Sequence, residues 1–192
     1  YIDSQAGKLL DSLDQNGLRE NTIVVRGGAH GCDDGDFGDW CKHSNYEVAT
    51  RVPLLISAPG KKSQRSTTAL AEYVDLYPTL CDLAGLQTPP HCQGLSLEPV
   101  LDDPARRWKP AAFSQYMKSK PGTGQMLGTS IRTDRFRYTE WRNRKTNELD
   151  AVELIDLERD PGAKRNVADQ PEYARYLPEL RDLCANSASG VQ

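Results

Sequence analysis

The 192-residue sequence predicts an α/β protein that changes character partway along the chain. Three observations carry this expectation. Apolar residues recur at helical spacing at the start and again between Leu70 and Ala84. Two short apolar runs, Ile23-Val24-Val25 and Val52-Pro53-Leu54-Leu55-Ile56, lie between those stretches. From about Trp108 onward, short strand-like segments replace the pattern. The expected organisation is an α/β portion over residues 1–105 and a small antiparallel-sheet α+β subdomain over residues 106–192.

The first element rests on Ile2, Ala6, Leu9, Leu10 and Leu13, which form one helical stripe running to about Arg19 and closing near Gly17. No capping residue precedes it. The chain therefore reads as starting inside a helix, and no signal peptide is visible. Thr22 to Val25 is expected to be a buried strand of a parallel sheet. A glycine-rich loop, Arg26 to Asp39, follows at the edge where open α/β sheets bind ligands. A second strand is expected over Val52 to Ser57, ended by Ala58-Pro59-Gly60. The next helix carries Leu70, Val74, Tyr77, Leu80, Leu83 and Ala84, with Gly85 as its stop.

In the second portion, strands are expected at Ala112 to Tyr116, Ser130 to Thr133, Phe136 to Trp141 and Glu153 to Leu157. A hairpin should turn at Thr133-Asp134-Arg135. A last helix bearing Tyr173, Leu177, Leu180 and Leu183 would cover one face of this sheet.

Several function classes are excluded by composition. The formal charge is −3, with acidic and basic residues interspersed and no basic stripe, so nucleic acid is not an expected partner. No apolar run approaches the roughly 20 residues that span a bilayer. Five cysteines show neither a CxxC pair nor zinc spacing. An odd count leaves at least one free thiol, and Cys81 with Cys92 is the pair to test.

The chemistry-bearing residues gather in one loop: His30, then Asp33, Asp34, Asp36 and Asp39, then Lys42-His43. Such a loop can hold a divalent cation through carboxylates and imidazole, or an anion through Lys42, His43 and backbone amides. On composition alone, a solvated acidic loop with one capping histidine explains it as well.

The order of residues is more specific. Asn21-Thr22-Ile23-Val24-Val25, His30-Gly31, Gly35-Asp36, Gly38 and Trp40-Cys41-Lys42-His43-Ser44-Asn45 resemble a signature segment of sulfatases. Ala49-Thr50-Arg51-Val52-Pro53-Leu54, Val74-Asp75-Leu76-Tyr77-Pro78-Thr79-Leu80, Ser114-Gln115-Tyr116, Ser130-Ile131-Arg132-Thr133 and Arg137-Tyr138-Thr139 with Trp141 continue the resemblance, in order, toward the iduronate-2-sulfatase branch.

This resemblance implies the C-terminal part of an alkaline-phosphatase-like sulfatase domain, followed by a small antiparallel subdomain that helps shape the substrate pocket. It further implies a formylglycine nucleophile, a calcium ion and a sulfated carbohydrate substrate such as a 2-sulfo-iduronate. Lys42 would contact the sulfate, and His30 would sit at calcium and nucleophile. His43 would brace the loop or touch substrate. Lys118 and Lys120 fall where the branch places cations near a substrate carboxylate, whereas Arg132 and Arg137 are expected to be structural. Proteins of this kind work in the periplasm, outside the cell or in lysosomes.

Two departures qualify these implications. Ala29 stands where the family has its metal-binding Asp, and a methyl offers no ligand atom. No Cys or Ser stands before x-Pro-x-Arg, so the residue converted to formylglycine is absent from this chain. The nucleophile and the paired Asp ligands would belong to a missing N-terminal part of the same enzyme, and the chain alone is expected to be inactive. The alternatives are a degenerate, non-catalytic sulfatase-like protein and a related choline-sulfatase or phosphonate monoester hydrolase.

Overall fold

The computed structural model describes residues 1–35, 38, 40–62 and 65–188. Asp36 and Asp39 of the acidic loop lie outside the described residues. The chain divides into two compact units: Tyr1–Gly27, Pro53–Thr68 and Tyr73–Arg106 form the first, and Gly28–Val52, Ala69–Glu72 and Arg107–Gln192 form the second.

In the first unit, α1 (Ile2–Gln15) ends where Gly17 adopts φ 65°, a conformation that costs glycine little. There the Gly17 and Leu18 amides donate to the carbonyls of Asp14 and Leu13, satisfying groups the helix end would leave orphaned. No residue of α1 is buried. Strand β1 (Val24–Gly27) pairs antiparallel with a second strand at Leu54–Ser57, Val24 lying opposite Ser57. This corrects the expectation of a buried strand in a parallel sheet. Val24 and Val25 are half-buried, Arg26 and Gly27 are exposed, and Leu55 is 56% exposed. A short apolar run reports hydrophobicity but carries no information about strand direction.

The second helix of this unit starts later than its apolar stripe suggested. A 3-10 turn at Tyr73–Asp75 leads into a regular helix at Leu76–Leu83. Pro78 explains the late start: within the first turn its missing N–H would have had no helical partner anyway, whereas further inside it would break a bond. The buried Asp75 carboxylate accepts the Leu95 amide at 2.9 Å, and Thr79 Oγ1 accepts the Leu97 amide at 2.8 Å. The segment that follows is thereby tied to this helix. Lys61 bonds Glu98 and Asp102 of a short helix at Glu98–Asp102.

The second unit contains, in chain order, the two-residue strands β2 (Asp33–Asp34) and β3 (Trp40–Cys41) and the single-turn helix α2 (Glu47–Thr50). With the strand Leu54–Ser57 counted as β4, the main sheet is β5 (Ala112–Lys120), β6 (Gly124–Arg132), β7 (Phe136–Asn143) and β8 (Leu149–Asp156), antiparallel in that order. Each strand is longer than its apolar run because exposed positions such as Lys120 and Leu149 still pair. The β6–β7 hairpin turns at Thr133-Asp134-Arg135 as expected, with the Thr133 amide donating to the Phe136 carbonyl at 2.9 Å. Ile131, Tyr138 and Leu154 are fully buried on one face beneath Leu180 and Cys184 of the terminal helix Leu177–Ala188, with Tyr173 of the preceding turn.

All five cysteines are free. The pair singled out for testing is unbridged here: Cys81 is buried in the Leu76–Leu83 helix, whereas Cys92 lies in the loop beyond it.

One buried carboxylate closes the far end of the sheet. Asp156, 2% exposed, receives Arg135 through Nε at 3.1 Å and Nη2 at 2.6 Å, the Tyr173 hydroxyl at 3.1 Å and the Glu158 amide at 3.2 Å. The Arg135 bonds, and then Tyr173, hold this carboxyl below its ordinary range against the opposing effect of burial. A carboxyl depressed in the folded state contributes stability above its unfolded pKa and loses it as pH falls through the folded one. Unfolding free energy is therefore expected to drop from about pH 4 downward. In Asp156→Asn, urea titrations across that range should show lower stability at neutral pH and a flatter acid limb.

Candidate active-site loop on the second sheet

The sheet face opposite the terminal helix carries the loop of residues 28–52. Gly31 sets its path: its amide donates to the Ala49 carbonyl at 2.9 Å, and a Cβ there would lie 1.7 Å from the Val48 carbonyl oxygen. Only glycine permits that approach. Asn45 is 4% exposed and donates Nδ2 to the Gly128 carbonyl at 2.9 Å, and the Tyr46 hydroxyl reaches Glu153 at 3.2 Å.

Glu47 is the principal anchor. Its Oε1 accepts Arg132 Nε at 3.1 Å and also Arg137 Nη2, while Thr50 Oγ1 accepts Arg137 Nη2 at 3.0 Å. Arg132 and Arg137 are thus structural, and Glu47 is the carboxylate they share. Burial pulls the Arg137 guanidinium down from its ordinary range, and Glu47 opposes that pull. Nothing in the residue order signals this triad, because a glutamate beside Tyr46 looks like any surface carboxylate.

Within the loop so held, His30 and Lys42 meet. His30 Nδ1 lies 2.8 Å from the Gly31 carbonyl, and His30 Nε2 lies 2.9 Å from Lys42 Nζ. A carbonyl only accepts and an ammonium only donates. Nδ1 therefore carries the proton, and the Nε2 lone pair receives Lys42. Both side chains are exposed. His43 stacks on Tyr116, ring centroids 5.9 Å apart and planes within 10°. Along β5, Tyr116, Lys118 and Lys120 alternate onto one face. Lys118 Nζ lies 6.0 Å from the Trp141 ring, and Lys120 is ion-paired to Asp150 at 2.6 Å. The face bearing these two lysines is therefore the one on which His43 rests. Tyr116 and Trp141 were missed as parts of this surface, since aromatic residues in strands usually read as core.

Asp33 is buried and accepts the Gly35 amide at 3.0 Å, which braces the turn between β2 and β3. Asp34 lies 3.5 Å from the Cys32 thiol and, through that hydrogen bond, pushes it up from its ordinary value.

The fit of calcium can be judged from these donors. Ala29 supplies no side-chain donor, and the Nε2 lone pair of His30 is occupied by Lys42. Among the described residues no group of three His, Cys, Asp or Glu side chains gathers as a metal would require. Calcium takes 6 to 8 oxygens. The described residues do not make such a shell.

Comparison with known proteins agrees with the residue order. Mouse iduronate 2-sulfatase is 30% identical over 244 residues, covering 94% of this chain and 44% of that protein. A Bacteroides thetaiotaomicron N-acetylglucosamine-6-O-sulfatase is 32% identical over 186 residues, covering 95% of this chain and 33% of that protein. A protein solved in complex with its substrate D-glucosamine-2-N,6-O-disulfate superposes with a TM-score of 0.86 at 30% identity, covering 98% of this chain and 38% of that one. The chain thus spans less than half the length of these relatives. The family described as N-sulphoglucosamine sulphohydrolase, C-terminal, matches residues 35–188, and with that match the chain belongs to the sulfatases.

Proposed function

We propose that this chain is the C-terminal part of a sulfuric ester hydrolase acting on a sulfated sugar, in which Lys42 contacts the sulfate and His30 positions it. The observation that carries the reading is the Lys42–His30 contact at 2.9 Å in an exposed loop braced from below by Asn45 and Glu47. When sulfur–oxygen cleavage begins, negative charge grows on the leaving and equatorial oxygens. A fixed ammonium aimed at them stabilises the transition state more than the ground state. His30 fixes the ammonium because its proton is committed to Gly31 and only its lone pair faces Lys42.

The formylglycine nucleophile and the oxygen ligands of a calcium ion would come from the rest of the parent. A division of the parent near residue 105 belongs to the same proposal. Lys118 and Lys120 would meet the carboxylate of a 2-sulfo-iduronate, with Asp150 giving up Lys120 on binding. His43 would complete that surface. Glycosaminoglycan fragments are the natural source of such sugars, and an exported or lysosomal parent would meet them there. Among the described residues no helix is long and apolar enough to cross a membrane.

A second reading, a degenerate copy without chemistry, is favoured by Ala29 alone. Assaying the intact parent and the 192-residue chain side by side on an aryl sulfate and on sulfated mono- and disaccharides separates the two. The sulfatase reading expects turnover by the parent, preference for a sulfated sugar over choline sulfate or a phosphonate monoester, and none by the isolated chain. A parent inactive on every sulfate ester would establish the degenerate reading, and turnover by the isolated chain would contradict the need for an upstream nucleophile.

A further inference from the structure

Two exposed cysteines flank the glycine-rich turn of this loop, and the catalytic reading uses neither. Cys32 immediately precedes β2 and Cys41 ends β3. The antiparallel register sets Asp33 opposite Cys41, which makes Cys32 the diagonal neighbour of Cys41. Strands lie about 5 Å apart and rise about 3.3 Å per residue, so a ladder in this register brings the two Cα atoms to about 6 Å, within the span that disulfides bridge.

Regular alternation would put Cys41 on the same face as Asp33, which is buried. Cys41 is instead exposed and has φ 74°, so this left-handed residue turns its thiol out of that face toward solvent, where Cys32 also lies. Of the other three cysteines, Cys81 and Cys184 are buried and Cys92 is half-buried.

From this placement we infer that Cys32 and Cys41 form a dithiol that closes to an intramolecular disulfide under oxidising conditions, clasping the turn whose far end carries Lys42. With a disulfide oxidant such as oxidised glutathione the step balances. One thiolate attacks the oxidant's sulfur and releases one glutathione thiol. The partner thiolate then displaces the second, so that two protein thiols become one S–S bond while one glutathione disulfide is reduced to two thiols.

The test is direct because trypsin, cutting after Arg26 and Lys42, releases both cysteines in the single peptide Gly27–Lys42. The folded chain is equilibrated with glutathione redox buffers, quenched with N-ethylmaleimide, digested and analysed by mass spectrometry, in parallel with the same chain in urea. The expected result is a peptide two hydrogens lighter and free of maleimide. Cys81, Cys92 and Cys184 should be alkylated once the quenched protein is denatured with excess reagent. The closure constant should be at least about tenfold larger in the folded chain than in urea. Cys41→Ser should abolish closure and leave Cys32 alkylated or glutathionylated. Two maleimides on the peptide at every redox poise, a bridge from either cysteine to Cys92, or equal closure in urea would each overturn the inference.

Discussion

Replacing Glu47 by alanine is expected to destabilise the second unit by about 3–5 kcal/mol, the range found when one partner of a buried ion pair is removed. Arg137 is 3% exposed, and burial already opposes its charge. Without Glu47, a guanidinium that does not deprotonate at ordinary pH stays buried, left with the neutral oxygens of Thr50 and Ser130 and with Arg132 as a like-charged neighbour. Loss of a solvated surface pair would instead cost at most about 1 kcal/mol. Glu47→Gln keeps the shape and one acceptor, and should fall between the two. Equilibrium urea unfolding followed by tryptophan fluorescence reads this well, because Trp40, Trp108 and Trp141 all lie in the second unit. A loss of 1 kcal/mol or less in Glu47→Ala would mean that the loop of residues 28–52 is not held by this triad.

The same triad shows what was legible in the sequence. The hairpin at Thr133-Asp134-Arg135, the terminal helix carrying Leu177, Leu180 and Leu183, and the stop at Gly85 were visible because turn chemistry and period are local properties, although Tyr173 falls in the 3-10 turn before that helix. Pairing direction was not: Val24-Val25 opposite Ile56-Ser57 is as apolar as a parallel strand, and only the returning chain decides that it is antiparallel. His30 and Lys42 could be singled out because their flanking residues follow the sulfatase order, although nothing in a spacing of twelve residues requires an imidazole and an ammonium to touch. Glu47, Tyr116 and Trp141 were invisible as supports because contacts between residues far beyond one helical turn or strand repeat leave no periodic trace. The two lysines of β5 were found, but Asp150, which holds Lys120, was not.

Lys42 is the residue proposed to stabilise charge developing on a sulfate ester. Its second large expected effect follows from exposure: Lys42 is solvent-exposed and supports no core contact, so Lys42→Ala should change stability by no more than about 0.5 kcal/mol. Removing one oriented donor from a developing oxyanion lowers kcat by about 100- to 1000-fold. Lys42→Arg keeps the charge but replaces a compact ammonium with a planar fork that cannot meet His30 Nε2 in the same way, so it should restore only part of the rate. His30→Gln should raise KM less than it lowers kcat, as expected of a residue that positions Lys42 rather than binding substrate. The decisive measurement is kcat and kcat/KM for hydrolysis of a sulfated sugar by the intact parent, with and without Lys42→Ala, alongside the urea midpoint of each protein. The expected result is a reduction of both kinetic constants by at least about 100-fold with an unchanged midpoint. Unchanged kinetic constants in a folded Lys42→Ala parent would contradict it.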